Sequence, residues 1–388
     1  MTKYYKKFFL LSFFVIVTGC SSLGALKFWE DEEEDEIRPA ELLSFNETFQ
    51  TEILWSKNTG SELSYGRLLP DVYEEKVYFI SSEGELNVFN LNGIKLFEKQ
   101  TNDIVSGALT VNFSTILYGT LDGEIVALDS DSGNQIWRSQ TSSEILVPPV
   151  TNGTVAVVQS ADGKLSAFNL RDGSKLWVHQ TQVPTLTLRG TSIPFIEQGF
   201  LFTGFSNGRI AMIYPESGAV RLEIPISINE GASELERIQD VDSKPLVLQN
   251  YLIGASYQGN IVSIDLLEGK VSWKQEISTI KDLTTDNIRI IAANADDEIL
   301  AFGLSTGAIL WQQEGLKYRQ ISSPIHFEGK VIVGDLEGYV HILDSQDGEF
   351  IGRKKISRQP IREVFLKGKE IFILDNSGKI FKVSPQPK

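Results

Sequence analysis

The chain has 388 residues, with 36 Lys and Arg against 51 Asp and Glu, and a single cysteine. Its formal net charge of −15 gives a surface that repels phosphates and argues against a nucleic-acid partner. One thiol excludes an intrachain disulfide, so the fold must be held by its packed core alone.

Residues 1–19 have a basic start (Lys3, Lys6, Lys7), an apolar run from Phe8 to Val17, and small residues ahead of Cys20. The run is too short to cross a bilayer and reads as a signal peptide. Val17-Thr18-Gly19-Cys20 resembles the bacterial lipobox, which implies cleavage before Cys20 and acylation of both its thiol and the new amino end. The alternative is a lone buried thiol, but a core residue has no reason to close a signal sequence. Several acyl chains give a stable membrane anchor where one alone binds marginally. Ser21 and Ser22 follow the cysteine instead of Asp, which by the same resemblance implies the periplasmic face of the outer membrane of a Gram-negative bacterium. Losing the signal removes three lysines and no acid, leaving −18. Residues 20–45 then read as the lipidated cysteine and a flexible tether, whose seven consecutive acids at 30–36 are a solvated run.

From residue 46 to 388 a short pattern recurs eight times, starting at Gly84, Gly123, Gly163, Gly208, Gly259, Asp297, Gly338 and Gly378. The spacings of 39, 40, 45, 51, 38, 41 and 40 residues fall in the range of propeller blades. Apolar and polar residues alternate with the period of two of a half-buried strand, as at Ile125 and Ala127. In the third copy four strand-like runs are joined at Asn152-Gly153, Asp162-Gly163 and Asp172-Gly173, pairs suited to hairpin turns with positive φ. Each interval is therefore a four-stranded antiparallel blade.

The eighth copy has a third strand at Lys379 to Val383 but no fourth, while TEILW ending at Trp55 is a fourth strand without a blade. Joined, they complete one blade and leave no open edge. The chain is thus predicted to be all-β, an eight-bladed β-propeller closed by pairing its N- and C-terminal strands. Trp55, Trp137, Trp177, Trp273 and Trp311 share the fourth-strand position and read as packing between neighbouring blades. Phe97, Leu222 and Gly352 occupy it in the other blades, which predicts a position tolerant of change.

Little else carries chemistry. His179, His326 and His341 lie in separate blades without metal-ligand spacing and read as strand or surface residues. Turn acids such as Asp131 and Asp172 suit their turns, and no nucleophile elbow, phosphate loop or zinc motif occurs. The tag from Ala127 to Trp137, repeated from Ala167 to Trp177, resembles the blade motif of pyrroloquinoline quinone enzymes. That likeness makes a quinoprotein dehydrogenase a rival reading, but such enzymes commonly carry adjacent cysteines and a calcium site with a catalytic Asp, and this chain has no spare cysteine. No catalytic residue, metal or cofactor is expected; a ligand or cell-wall component in the central channel is a further alternative.

Two repeat intervals are long. The first contains QVPTLTLRGTSIP and the second INEGASELERIQDVDSKP, and extra residues in such repeats map to loops that often bind partners. With the lipobox and the eight blades, PTLTLRGTS and ELERIQDVDSKP resemble the BamB family, lipoproteins of the outer-membrane β-barrel assembly machinery, and the likeness extends over essentially the whole mature chain, including residues 322–348. It implies a non-enzymatic scaffold docked on the periplasmic POTRA domains of BamA through Leu186, Leu188, Arg189, Asp240 and Asp242, with nascent outer-membrane proteins as further partners along exposed strand edges. The acidic run at 30–36 and Asp297 in place of the first Gly of the sixth tag depart from the family pattern.

Overall fold

A computed structural model of the chain describes residues 38–58, 68–181, 192–226, 240–241 and 243–388. Within them thirty-two strands form eight four-stranded antiparallel sheets, with no helix. The sheets are the blades of an eight-bladed β-propeller, and Pro39–Lys388 forms one compact unit. Blades 1 to 7 span 71–100, 105–140, 150–180, 195–225, 246–277, 284–313 and 325–355, and blade 8 combines 361–387 with Phe49–Asn58. The first strands of blades 3 and 6, Val150–Thr151 and Thr284–Thr285, are only two residues long.

The middle strands are buried on both faces, because each blade lies between two others. Ala156, Val157, Val158, Leu165, Ala167 and Phe168 of blade 3 are all below 1% exposed. The core is accordingly a series of layers between neighbouring blades. One layer joins Leu117, Ile125 and Trp137 of blade 2 to Ala156, Val158 and Phe168 of blade 3, and another joins Val155 and Leu165 of blade 3 to Leu201 and Ala211 of blade 4.

The ring closes as the sequence predicts. Phe49–Asn58 pairs antiparallel with Lys379–Pro387, in register from Phe49 opposite Pro387 to Asn58 opposite Lys379, and Trp55 takes the fourth-strand position of blade 8. The turns differ in type from the expectation. Gly153, Gly163 and Gly173 have positive φ, whereas Asn152, Asp162 and Asp172 do not. These side chains instead accept hydrogen bonds within the turn, as Asn152 does from the amides of Thr154 and Val155.

A bulge precedes each fourth-strand tryptophan of blades 2, 3, 5 and 6. In blade 3, Ala167 faces Trp177 and Phe168 faces Lys175, so Leu176 is an extra residue. The extra residue turns the indole toward the next blade. It also explains why Leu96, Ile136, Leu176 and Leu310 are about half exposed at 46–52%, each standing on the outer side of its bulge. Each of the five fourth-strand indoles donates its Nε1 proton to a carbonyl of the following blade: Trp55 to Leu91, Trp137 to Leu170, Trp177 to Pro215, Trp273 to Leu304 and Trp311 to Ser345, at 2.7–3.0 Å.

Each ring also covers the turn glycine of that blade. A Cβ on Gly348 would lie 2.5 Å from Trp311, and one on Gly307 2.6 Å from Trp273. Phe97 and Leu222 leave this seat looser, with nearest approaches of 3.3 Å to Gly133 and 3.5 Å to Gly269. Gly352 shows that the position is not simply tolerant. Blade 8 has no turn between its third and fourth strands, and the incoming N-terminal strand passes so close that a Cβ on Gly352 would lie 2.7 Å from the Phe49 carbonyl oxygen. Glycine is needed there for space.

Two substitutions in blade 7 separate backbone strain from the indole seat. Gly329 and Gly348 have φ of 76° and 77°, but only Gly348 has a neighbour within 4 Å of the added methyl. Gly329→Ala should cost about 1–2 kcal/mol from the left-handed backbone alone, and Gly348→Ala about 1–3 kcal/mol more from overpacking, read as urea midpoints. Gly352→Ala should also destabilise, despite the tryptophan at this position in other blades.

Candidate docking face

Connectors that lead from the fourth strand of one blade to the first strand of the next share a face with the turns between second and third strands. Hydrogen bonds tie the two together around the ring: Thr101 donates to the Gly84 carbonyl, Thr141 to Gly123, Ile226 to Gly208 and Ile356 to Gly338. Both long insertions are such connectors, from blade 3 to 4 and from blade 4 to 5. Leu186, Leu188, Arg189 and Asp242 lie outside the described residues, as does Cys20.

The described ends of the two connectors lie side by side. Asn207 donates to the Thr181 hydroxyl at 2.8 Å, and the Ile226 amide donates to the Gly208 carbonyl at 2.9 Å, so both connectors leave beside the same blade 4 turn. Their far ends meet where the Ser192 hydroxyl donates to the Ser243 carbonyl at 3.3 Å. Asp240 and Val241 are buried at 0% and 1% exposure. The Asp240 carbonyl accepts from the Tyr257 amide of blade 5, and Val241 fills the space left by Gly204 of blade 4. Asp240 thus holds the connector into the crevice between blades 4 and 5, an inward role that sequence spacing alone does not distinguish from an exposed one.

The central channel is lined by first-strand residues of blades 2, 5, 6, 7 and 8 and by the connectors entering blades 1, 3 and 4, and encloses about 340 Å³. Its charges include Lys244, whose ammonium stands 5.2 Å over the Phe195 ring, and Lys367, which pairs with Asp71 at 2.9 Å. Among the described residues no group of three or more His, Cys, Asp or Glu could hold a metal ion.

A polar node in blade 7 was not legible as one in the sequence, and His326 and His341 share this blade instead of lying in separate ones, because the first strand of a blade precedes its repeat tag. His341 is fully buried, and its Nε2 lies 2.9 Å from Asp335 Oδ2. Arg353 Nε donates to His341 Nδ1 at 3.1 Å, so the neutral ring carries its proton on Nε2 and gives it to Asp335. Arg319 donates to the same Asp335 oxygen at 2.9 Å and pairs with Glu337. Asp335 Oδ1 meanwhile accepts from the Glu337 and Tyr339 amides, the turn-capping role that Ser81, Thr120 and Ser256 fill in blades 1, 2 and 5. Only the combination of aspartate at that turn with histidine six residues later marks the node. Asp297 is a related case: it takes a glycine-like φ of 66°, and its carboxylate accepts from Lys281 at 2.7 Å and the Gln320 amide at 2.6 Å.

The node also grips the chain before the closing strand. Arg319 donates to the Ala40 carbonyl and Arg353 to the Leu43 carbonyl, both at 2.8 Å, and Phe45 packs on Phe350 with the Arg353 guanidinium over its ring. Residues 40–45, grouped with the tether on composition, therefore lie on blade 7.

With its blade joints, its strand closure and its paired connectors, the molecule belongs to the class of tryptophan-docked eight-bladed propellers that surround a narrow channel. A family profile described as outer membrane protein assembly factor BamB matches residues 100–313 and 280–384. The outer membrane protein assembly factor BamB of Escherichia coli strain K12 is 30% identical over 383 residues, covering 95% of this chain and 96% of that one. The chain belongs to the BamB family. The crystal structure of BamB from Moraxella catarrhalis superposes with a TM-score of 0.81 at 24% identity, covering 86% of this chain and 99% of that chain. A europium-containing methanol dehydrogenase shares the fold at a TM-score of 0.68 and 12% identity, covering 83% of this chain and 84% of that one.

Burial holds the His341 pKa below its ordinary value of 6.5, outweighing the contact with Asp335 that acts to raise it. The unfolded chain therefore takes up a proton first, so this contribution to stability is complete above pH 6.5 and is lost as pH falls toward the folded value. Burial acts to raise Asp335, but the His341 hydrogen bond and charge, the Tyr339 amide and Arg319 hold it lower, adding a loss of the same sign in more acid solution. Thermal midpoints should fall between pH 7.5 and 5.5, and His341→Gln should lower the midpoint at pH 7.5 and flatten that dependence.

Proposed function

We propose that this chain is a lipid-anchored, non-enzymatic scaffold for outer-membrane protein assembly, held at the periplasmic face of the outer membrane through Cys20. It docks on the POTRA domains of BamA with the face that carries the two long connectors. The observation that carries this reading is their placement: in a BamB-family chain, two long connectors leave beside one turn and meet at Ser192 and Ser243. Leu186, Leu188 and Arg189 supply an aliphatic anchor beside a guanidinium with five donors. Asp242 offers a carboxylate for a basic partner, while Asp240 positions its connector from within the crevice. This task calls for no catalytic group. Nascent barrel proteins are the second partner, as extended segments pairing with the outer strands of the blades.

The test is binding of residues 21–388 to purified POTRA domains. Leu186→Ala/Leu188→Ala/Arg189→Ala should weaken binding by at least about tenfold, since buried anchors cost 1–2 kcal/mol or more each, with circular dichroism unchanged. Unchanged binding by the folded variant places the interface elsewhere. Failure of the wild type to bind directs attention to the central channel. Separately, Cys20→Ser should move the full-length chain from the membrane fraction to the soluble one.

A further inference from the structure

The acidic chain has a basic end. Residues 353–388 hold ten Lys and Arg against three acids, in a chain whose overall charge is −15. An open cleft of about 730 Å³ lies between blades 7 and 8, bordered by Lys355, Arg358 and Lys379. These cations come from three separate elements: the end of Phe350–Lys355, the connector to blade 8, and the start of Lys379–Pro387. Among the described residues none of the three has a carboxylate partner. Lys355 lies over the Tyr339 ring and Lys379 over the Phe381 ring, and Arg358 is exposed. Elsewhere cations are readily matched, as Lys76 is with Asp131, Lys164 with Asp162 and Arg209 with Glu223.

The donors in the cleft indicate which anion suits it. A compact phosphate is held by converging backbone amides, but here five of the amides along the cleft are already used, leaving no converging set. Those of Ile356 and Ser357 donate to the Gly338 carbonyl, that of Gln359 to the Ser357 hydroxyl, and those of Ser377 and Lys379 to Asp375. The Ser357 and Ser377 hydroxyls also donate to Asp375, each at 2.6 Å, so a carboxylate already occupies the cleft floor. What remains is three long, unmatched cations spread around an open rim. Such a rim suits several carboxylates spaced along an extended chain better than one concentrated charge.

We propose that the cleft between blades 7 and 8 is a docking site for an acidic peptide segment that presents successive Asp and Glu side chains to Lys355, Arg358 and Lys379. The site lies on the connector face, since its rim includes the connector at 356–360 and the turn at 375–378. It is separate from the connectors at blades 3 to 5 and does not depend on their role.

The experiment measures fluorescence anisotropy of a labelled peptide, Glu-Asp-Glu-Glu-Glu-Asp-Glu, with residues 21–388. The chain carries these same seven acids at 30–36, so a second form with them replaced by their amides prevents competition from the chain itself. In that form the peptide should bind, and more weakly as salt rises. Lys355→Gln/Arg358→Gln/Lys379→Gln should weaken binding about tenfold or more. The single Arg358→Gln should give part of that loss, and Lys95→Gln/Lys270→Gln/Lys274→Gln, on other blades, should give none. Absence of binding, or equal loss in both triple variants, overturns the proposal. Displacement of the peptide by equimolar inorganic phosphate or by phosphatidylglycerol vesicles also overturns it, making the cleft a phosphate site.

Discussion

The structure depends on an indole lying over a glycine of the neighbouring blade. A blade is apolar on both faces and cannot hide them alone, so each must find a partner on either side. The tryptophan satisfies its N–H on the next blade's turn while its ring covers a glycine that has no side chain to obstruct it. One contact thus sets both the spacing and the relative orientation of two sheets. The bulge before the tryptophan belongs to the same device, because it rotates the ring out of its own sheet and leaves an apolar residue on the rim.

Such joints would form an open arc if nothing tied the ends. The N-terminal strand supplies the missing fourth strand of blade 8 and contributes Trp55 to the joint with blade 1. Its approach alters blade 7, where Gly352 gives way to the passing backbone. The Asp335–His341 node then fixes residues 40–45 by their carbonyl groups. A buried ionic cluster of this kind is costly to assemble, and removing one member leaves the others unmatched. Here it holds a segment that also packs Leu42 and Phe45 against the ring.

The connector face gathers the variable features of the molecule, while the joints repeat with little change. Long connectors at blades 3 to 5 and a basic cleft at blades 7 and 8 both open on it. A rigid ring can carry such features at fixed separations, because neither the middle strands nor the closing strand need move to accommodate them.

Blade number, the pairing of the chain ends and the packing role of the tryptophans were determined by the sequence itself. They rest on strict repetition and on short-range periodicity, and an incomplete last copy can be matched only by an incomplete first one. Contacts between different repeats were not legible in this way. Gly352 looked like a tolerated variant because its neighbour, Phe49, is some three hundred residues away along the chain. His341 looked like an ordinary strand residue because Arg353 reaches it from another strand and its partner Asp335 is held by Arg319 from a connector. Asp240 resembled an exposed acid until the crevice between two blades enclosed it. The cleft cations, too, were single lysines and arginines in sequence. Tertiary structure decided these cases, since burial and charge matching depend on which residues the closed ring brings together.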